Sequence, residues 1–206
     1  MAVTASSPGR AFAGEDFGTD WAALDLVNSE QWDGFGRRTE HLDDPDWLDD
    51  FRARYGWDAG DDAPPLADLR RMRAAVRAIV EATISGDAWP AADLAVVEAA
   101  LAAPATRVLR RDGGRVGLAL SPVEPGWRWA MAEIAASAVE MLETAPARIK
   151  TCANPGCRWA FHDRTRGNTR RWCNDLTCGN RDKVRRFRER ARASGGAPSS
   201  PPDRGV

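Results

Sequence analysis

Apolar residues recur at helical spacing through most of the first 145 positions, and this pattern predicts a mainly α domain. The longest periodic stretch places Leu69, Val76 and Val80 on one helical face. Polar residues fill the opposite face, as expected for a helix that packs against a core. The predicted helices span residues 21–29, 45–55, 66–85, 90–102 and 127–144.

Capping residues and glycines mark the ends of these helices. Asp44 stands before a proline, which is a typical helix start. Gly56 and Gly86 follow their helices at the position that favours glycine. Thr19 or Asp20 is the predicted N-cap of the first helix.

Two segments break the helical pattern. Residues 105–121 alternate between apolar and polar around Asp112-Gly113-Gly114, which predicts a β-hairpin. Residues 31–44 are polar and contain glycine, and this composition predicts a loop.

The two ends of the chain show no periodicity. Residues 1–18 are rich in Ala, Gly and Ser and are expected to be a flexible N-terminus, and residues 193–206 are expected to be a disordered tail. No run of about 18 apolar residues is present, so we expect no transmembrane helix. The N-terminus lacks the apolar stretch of a secretory signal, which favours a cytoplasmic location, where thiols stay reduced.

All four cysteines lie within 27 residues of one another. Cys152 and Cys157 are separated by four residues. Cys173 and Cys178 repeat that spacing fifteen residues later. Four thiolates satisfy the charge and the tetrahedral geometry of a structural zinc ion, so this pattern predicts one Zn²⁺ bound by all four. Two disulfides, a redox or catalytic thiol, and replacement of one ligand by His162 are the alternatives.

The residues around the cysteines predict a small treble-clef-like module. Asn154, Pro155 and Gly156 favour a tight turn inside the first pair. Residues 158–161 and 170–172 are the predicted strands, and a helix follows the second pair. The predicted fold is therefore a mainly α, helical N-terminal domain with one β-hairpin, plus a small C-terminal treble-clef-like zinc finger with four cysteine ligands.

The charge is distributed unevenly between these two parts. Residues 148–192 contain 14 Arg or Lys against 4 Asp or Glu, a net charge of +10. Because the whole chain carries −1, the remainder carries −11. This asymmetry is typical of an acidic body with a basic, anion-binding end.

The basic charge is concentrated on the predicted C-terminal helix. Arg181, Arg185, Arg188 and Arg192 share one stripe, and an apolar stripe beside it is expected to pack on the zinc core. Fixed guanidinium groups on an outward face suit phosphate binding. The predicted nucleic-acid-binding residues are Arg181, Lys183, Arg185, Arg186, Arg188 and Arg192. The alternatives are docking of this face against the acidic body or another protein, and an idle charged surface.

Catalytic motifs are absent from the sequence. It has only two histidines, His41 and His162, and neither a Gly-rich phosphate loop, a nucleophile elbow nor an H-E-x-x-H motif. We therefore expect that the protein is not an enzyme.

Several of these motifs resemble those of a known family. The segments CANPGC, RWAFHD, RRWC and CGNR, followed by a basic helix, resemble the CGNR zinc finger. Upstream, LDLVNSE (24–30) and LRRMRAAVRAIVEA (69–82) resemble the ABATE domain of stress-induced transcription regulators. The resemblance implies a bacterial regulator with a sensor domain at 19–147 and a DNA-binding finger at 148–192, whose metal ligands are Cys152, Cys157, Cys173 and Cys178.

The resemblance also implies candidate ligand-binding positions in the N-terminal domain. Asn28, Arg73 and Arg77 match polar positions of its motifs, with helix capping and surface charge as the alternative. Together these features predict a zinc-dependent, DNA-binding transcription regulator whose N-terminal domain senses a small-molecule effector or a stress signal. A zinc-stabilised module that binds protein or RNA is the alternative. A homodimer is plausible because one short finger offers few contacts, although no heptad repeat supports it.

Overall fold

The computed structural model describes residues 21–57, 62–112 and 114–193. The predicted flexible N-terminus at 1–18, the candidate caps Thr19 and Asp20, and residues 194–206 of the predicted tail lie outside the described residues. Ala193 is described and is the last residue of a helix.

Helices dominate the described part of the chain, and the predicted mainly α class is confirmed. The α-helices are α1 (Ala22–Asn28), α2 (Pro45–Tyr55), α3 (Leu66–Ser85), α4 (Ala91–Leu101), α5 (Trp127–Thr144) and α6 (Asn180–Ala193). The strands are β1 (Glu30–Trp32), β2 (Arg38–Glu40), β3 (Ala105–Asp112), β4 (Arg115–Pro122), β5 (Ile149–Thr151) and β6 (Ala160–His162). They pair as three separate antiparallel hairpins: β1 with β2, β3 with β4, and β5 with β6. None of the described helices combines the length and apolar character needed to cross a bilayer.

The predicted helix ends are largely confirmed. The Asp44 carboxylate caps α2 by accepting a hydrogen bond from the backbone N–H of Asp46. Gly56 and Gly86 follow α2 and α3 with φ of 67° and 75°, a conformation that glycine adopts without a steric penalty. The N-cap of α1 is Trp21, whose side chain makes no capping hydrogen bond.

The segment predicted as a loop at 31–44 contains a hairpin and a short 3₁₀ helix, so that prediction was wrong. Its strands β1 and β2 are three residues each, too short for alternation to be visible in the sequence. Arg38 of β2 forms an ion pair across the hairpin with Glu30 of β1 and a second one along its own strand with Glu40. The turn between them is closed by the Asp33 carboxylate, which accepts hydrogen bonds from two backbone N–H groups.

Helix α1 lies at the centre of the core, and all seven of its residues are buried. It packs against α3 and α5, whose apolar faces close around it. The same core cluster includes Ile149 of β5 and Ala160 of β6. The cysteine-containing module therefore shares the core of the helical domain.

Candidate metal centre and nucleic-acid interface

The four cysteines come from two short turns. Cys152 and Cys157 flank a turn in which the Asn154 side chain accepts a hydrogen bond from Gly156 and its backbone carbonyl accepts one from Cys157. Cys178 lies in a π-helical turn (Asp175–Gly179) immediately before α6. The last cysteine is therefore rigidly attached to the start of the basic helix.

The cysteine sulfurs form a compact, buried cluster, with all four Sγ atoms within 4.8 Å of one another. The Cys157 and Cys173 sulfurs are 3.6 Å apart, and those of Cys173 and Cys178 are 3.7 Å apart. A tetrahedral zinc ion with Zn–S bonds of about 2.3 Å requires sulfurs roughly 3.8 Å apart, so the donors fit this metal. All four cysteines are free, and a disulfide would need a separation of about 2.05 Å.

The electrostatics of the cluster also favour a cation. Hydrogen bonds from Cys157 and Cys173 lower the pKa of Cys152 to about 2. The hydrogen bond with Cys152 raises the pKa of Cys157 to about 12. Hydrogen bonds with Cys152 also raise the pKa of Cys173. Because thiolates this close together repel one another, a cation among the sulfurs favours their ionisation. The Asn154 side-chain amide lies 3.6 Å from the Cys178 sulfur and would orient that ligand.

The strands of this module differ from those predicted. Residues 160–162 form β6, but its partner is β5 at 149–151, and no strand forms at 170–172. The segment after β6 is instead a loop organised by Asp163. His162 packs edge-on against Trp21, with ring centroids 4.7 Å apart, and does not belong to the metal-ligating cluster.

Asp163 is fully buried and was not identified from the sequence. Its carboxylate accepts a hydrogen bond from Lys150 at 2.6 Å, two from Thr165 and one from the backbone N–H of Arg170. Burial alone would raise the pKa of Asp163, but the hydrogen bonds from Lys150 and Thr165 hold it well below its usual range. A single carboxylate therefore joins β5 to the loop that leads to the second cysteine pair.

The predicted nucleic-acid-binding residues fall into three groups. Arg181 faces the helical domain, where it donates to the Asp33 carbonyl and lies over the Phe35 ring at 4.2 Å. Arg185 pairs with Asp182 and Glu189, and Arg186 also pairs with Asp182. The third group is exposed and makes no ion pair among the described residues: Lys183, Arg188 and Arg192.

The expected apolar stripe of α6 does not pack on the zinc core. Val184 and Phe187 are 48% and 46% exposed, and Asp182 is the one buried residue of this helix. Helix α6 contacts the π-helical turn that precedes it, and its residues 183–190 are all exposed.

The three candidate ligand-binding residues all make contacts within the protein. Asn28 exchanges two hydrogen bonds with the backbone of Ala160, at 2.8 and 2.9 Å. Arg77 donates to the backbone carbonyls of Val27 and Arg158. Two of them therefore join the helical domain to the cysteine module.

Arg73 serves the helical domain alone. Its guanidinium donates two hydrogen bonds to the Glu40 carboxylate, at 2.6 and 2.7 Å, and a third to the Ser29 hydroxyl. A bidentate pair of this kind is geometrically specific, so Arg73 fixes the β1–β2 hairpin against α3.

The β1–β2 turn meets the first cysteine turn at close range. The Gly34 N–H donates to the Gly156 carbonyl at 3.1 Å, and the Asn154 amide donates to the Gly34 carbonyl at 3.3 Å. A Cβ atom at Gly156 would lie 2.8 Å from that carbonyl oxygen, so any other residue would separate the two turns. Such a long-range approach leaves no local signal in the sequence beyond the glycines themselves.

A separate cleft of about 900 Å³ lies between α3, α4 and α5. Its wall combines Met72, Trp127, Trp129 and Met131 with charged side chains at the rim. Neither Asn28, Arg73 nor Arg77 is among the residues that line it.

Comparison with family models agrees with this architecture. The model of ABATE, described as "Putative stress-induced transcription regulator", matches residues 20–145. The model of the CGNR zinc finger matches residues 148–191. No curated protein matches the chain.

Proposed function

This chain belongs to the ABATE family and carries a CGNR zinc finger, and from that premise we propose that it is a DNA-binding transcription regulator. In this proposal, one zinc ion bound by Cys152, Cys157, Cys173 and Cys178 is structural, and α6 contacts DNA phosphates. The zinc ion, when bound, supplies folding energy and fixes the direction of α6.

The observation that carries the proposal is the exposed cationic surface of α6. This helix contains seven Arg or Lys against two Asp or Glu. Lys183, Arg188 and Arg192 have no ion-pair partner within the described part of the chain. Cations held on a rigid helix release counterions when they meet phosphate, which favours nucleic-acid binding.

The proposal divides the arginines of α6 by role. Arg181 positions the helix, because its guanidinium is held by the β1–β2 turn of the helical domain. Arg188 and Arg192 contact phosphate. Arg185 and Arg186 contribute only when they exchange the Asp182 carboxylate for phosphate.

The proposal is tested by titrating labelled genomic DNA fragments with the zinc-loaded full chain over a range of salt concentrations. Three phosphate contacts, made by Lys183, Arg188 and Arg192, predict a slope of log K against log salt of about −2.7. A slope near −4.5 would show that Arg185 and Arg186 also take part. A flat salt dependence would contradict the proposal.

Two matched variants separate contact from positioning. We expect Arg188→Ala to weaken binding to all sequences and to reduce the slope by about 0.9, with unchanged stability. Arg181→Ala should lower the thermal midpoint, because it removes the contacts to Asp33 and Phe35. If the salt slope responds only to Arg181→Ala, the assignment of roles is wrong.

The remaining expectations are part of the same proposal. Four thiolates fill the coordination sphere of zinc and leave no position for a substrate, so we propose no enzymatic role for this site. We place an effector, if the N-terminal domain senses one, in the cleft between α3, α4 and α5. The buried Asn28, Arg73 and Arg77 are committed to internal hydrogen bonds.

A further inference from the structure

One face of the β3–β4 hairpin exposes four apolar side chains, and the same face carries Arg107 and Arg111, which lie opposite Leu120 and Val116. Directly opposed residues of an antiparallel pair point to the same side, so Leu109 and Leu118 share one face. Val116 and Leu120 lie on that face too. These four side chains are 59–74% exposed. A two-stranded hairpin is marginally stable alone, so this one is expected to gain from a partner.

The two edges of the hairpin differ in charge. Strand β3 carries Arg107, Arg110 and Arg111, which discourage pairing with a further strand. Strand β4 has no charged residue from position 116 to 122. No strand in the described ranges pairs with the second edge of β4. Only the β4 edge is therefore suited to pairing with another strand.

We propose that a second copy of this chain pairs with β4 in antiparallel orientation and forms a four-stranded sheet in the order β3-β4-β4-β3. In the proposed register Leu118 lies on the two-fold axis, opposite the partner's Leu118. Val116 then lies opposite the partner's Leu120. The inference does not depend on whether the protein binds DNA.

The sequence of β4 favours this register. A shift by one residue would place Leu118 opposite the partner's Gly117 or Ala119, so that a large side chain would face a small one. The proposed register instead pairs large side chains with large ones. Gly117 then meets the partner's Ala119 on the second face. The β4 edge is complementary to itself, because the two-fold axis of the dimer places the same uncharged strand on both sides of the contact.

The charge distribution is compatible with this arrangement. The arginines of the two β3 strands lie at the outer edges of the sheet. Three strand spacings of about 4.8 Å separate these edges by roughly 14 Å. That distance exceeds the screening length of about 8 Å at physiological ionic strength, so their repulsion is weak.

A second copy fits the β4 edge better than nucleic acid does. Residues 116–122 of β4 carry no charge, and the arginines of the same face, Arg107 and Arg111, lie on β3, away from this edge. DNA binding requires cations along the contact. Two eight-residue strands bury less than the roughly 1,200 Å² typical of stable interfaces, so we expect a dimer that dissociates in the micromolar range.

The test is sedimentation equilibrium of the zinc-loaded full chain from about 1 to about 200 µM, which brackets the expected range. Leu118→Arg places two arginines together on the axis and should weaken association by about 100-fold. Leu109→Arg is the matched control: it changes a leucine of similar exposure on the same face, but on β3, and should shift the dissociation constant less than about threefold.

Cysteine cross-linking tests the register. Leu118→Cys should form a disulfide between copies under mild oxidation, because opposed Cα atoms lie about 4.5–5.5 Å apart. Val116→Cys should not, because four residues, about 13 Å, separate it from the partner's residue 116. Folding of each variant is checked by circular dichroism.

Four outcomes would overturn the proposal. They are a monomer at every concentration, association unaffected by Leu118→Arg, equal loss with Leu109→Arg, and cross-linking of Val116→Cys in preference to Leu118→Cys. Protection of the hairpin from proteolysis only when DNA is added would assign the face to nucleic acid instead. The proposal is supported if the dimer persists in Leu109→Arg, dissociates in Leu118→Arg and cross-links through Leu118→Cys.

Discussion

At the residue scale, the most consequential side chains are buried polar groups with partners far away in sequence. Asn28 and Ala160 are 132 positions apart, and Lys150 of β5 meets Asp163 in the loop that follows β6. Each group satisfies backbone or charged partners that would otherwise be buried without a hydrogen bond. Loss of such a group leaves its partners unsatisfied, which costs more than the hydrogen bond itself contributes.

Asp163 gives a pH-dependent prediction. The pKa of its carboxyl is lower in the folded protein than in the unfolded chain, so it stabilises the fold fully above about pH 4 and loses that effect as the pH falls. Asp163→Asn should therefore cost about 3 kcal/mol at pH 7, and the difference from the unmodified protein should narrow below about pH 4. Urea unfolding at several pH values measures both.

The control for this variant is Asp87→Asn, which changes an exposed aspartate just beyond α3. It should alter the free energy of unfolding by less than about 0.5 kcal/mol at any pH. A pH-independent difference between Asp163→Asn and the unmodified protein would show that the carboxylate charge is not what stabilises the loop.

At the element scale, α1 connects the helical domain to the zinc finger. It is buried along its whole length and ends at Asn28, whose amide reaches β6. Helix α3 adds a second link through Arg77, which reaches the carbonyl of Arg158. The finger is thus held by two helices of the domain as well as by the chain connection.

Asn28→Ala should loosen this junction. It leaves the N–H and C=O of Ala160 without their partner, so we expect a loss of about 2–4 kcal/mol in the free energy of unfolding. Hydrogen exchange of the Ala160 amide should accelerate relative to its neighbours. The exposed Asn180→Ala, which removes one hydrogen bond to Leu176, should cost at most about 1 kcal/mol. Equal effects of the two variants would contradict the assigned role of Asn28.

At the scale of the whole molecule, the acidic domain and the basic finger are in direct contact. The β1–β2 turn packs against the first cysteine turn and also holds Arg181 at the start of α6. The helical domain therefore influences the direction of the basic helix.

Removal of the metal should show how much of the zinc finger's folding depends on zinc. We expect one zinc ion per chain, and its removal with a chelator should unfold α6 and the cysteine turns and abolish DNA binding, because zinc contributes on the order of 10 kcal/mol in small zinc domains. Metal analysis and circular dichroism measure these effects. Cys173→Ser should lose the ion, whereas His162→Ala should retain it. Loss of the ion with His162→Ala would mean that the ligand set includes the histidine.

Local patterns in the sequence determined much of this protein. The five helices of the N-terminal domain, the β3–β4 hairpin and the spacing of the cysteines were predictable, because each depends on residues close together in the chain. Cysteine spacing was informative for the same reason: two short turns can present four sulfurs to one ion.

Only the tertiary structure decided which surfaces are covered and which polar groups are used. A helical stripe such as Val184 and Phe187 looks the same in sequence whether it is buried or exposed, and here both side chains are about half exposed. The pairing of β5 with β6, the hairpin at 30–40 and the link from Asn28 to Ala160 were missed since each depends on contacts with distant residues. Periodicity reports which faces are apolar, but burial depends on what the rest of the chain places against them.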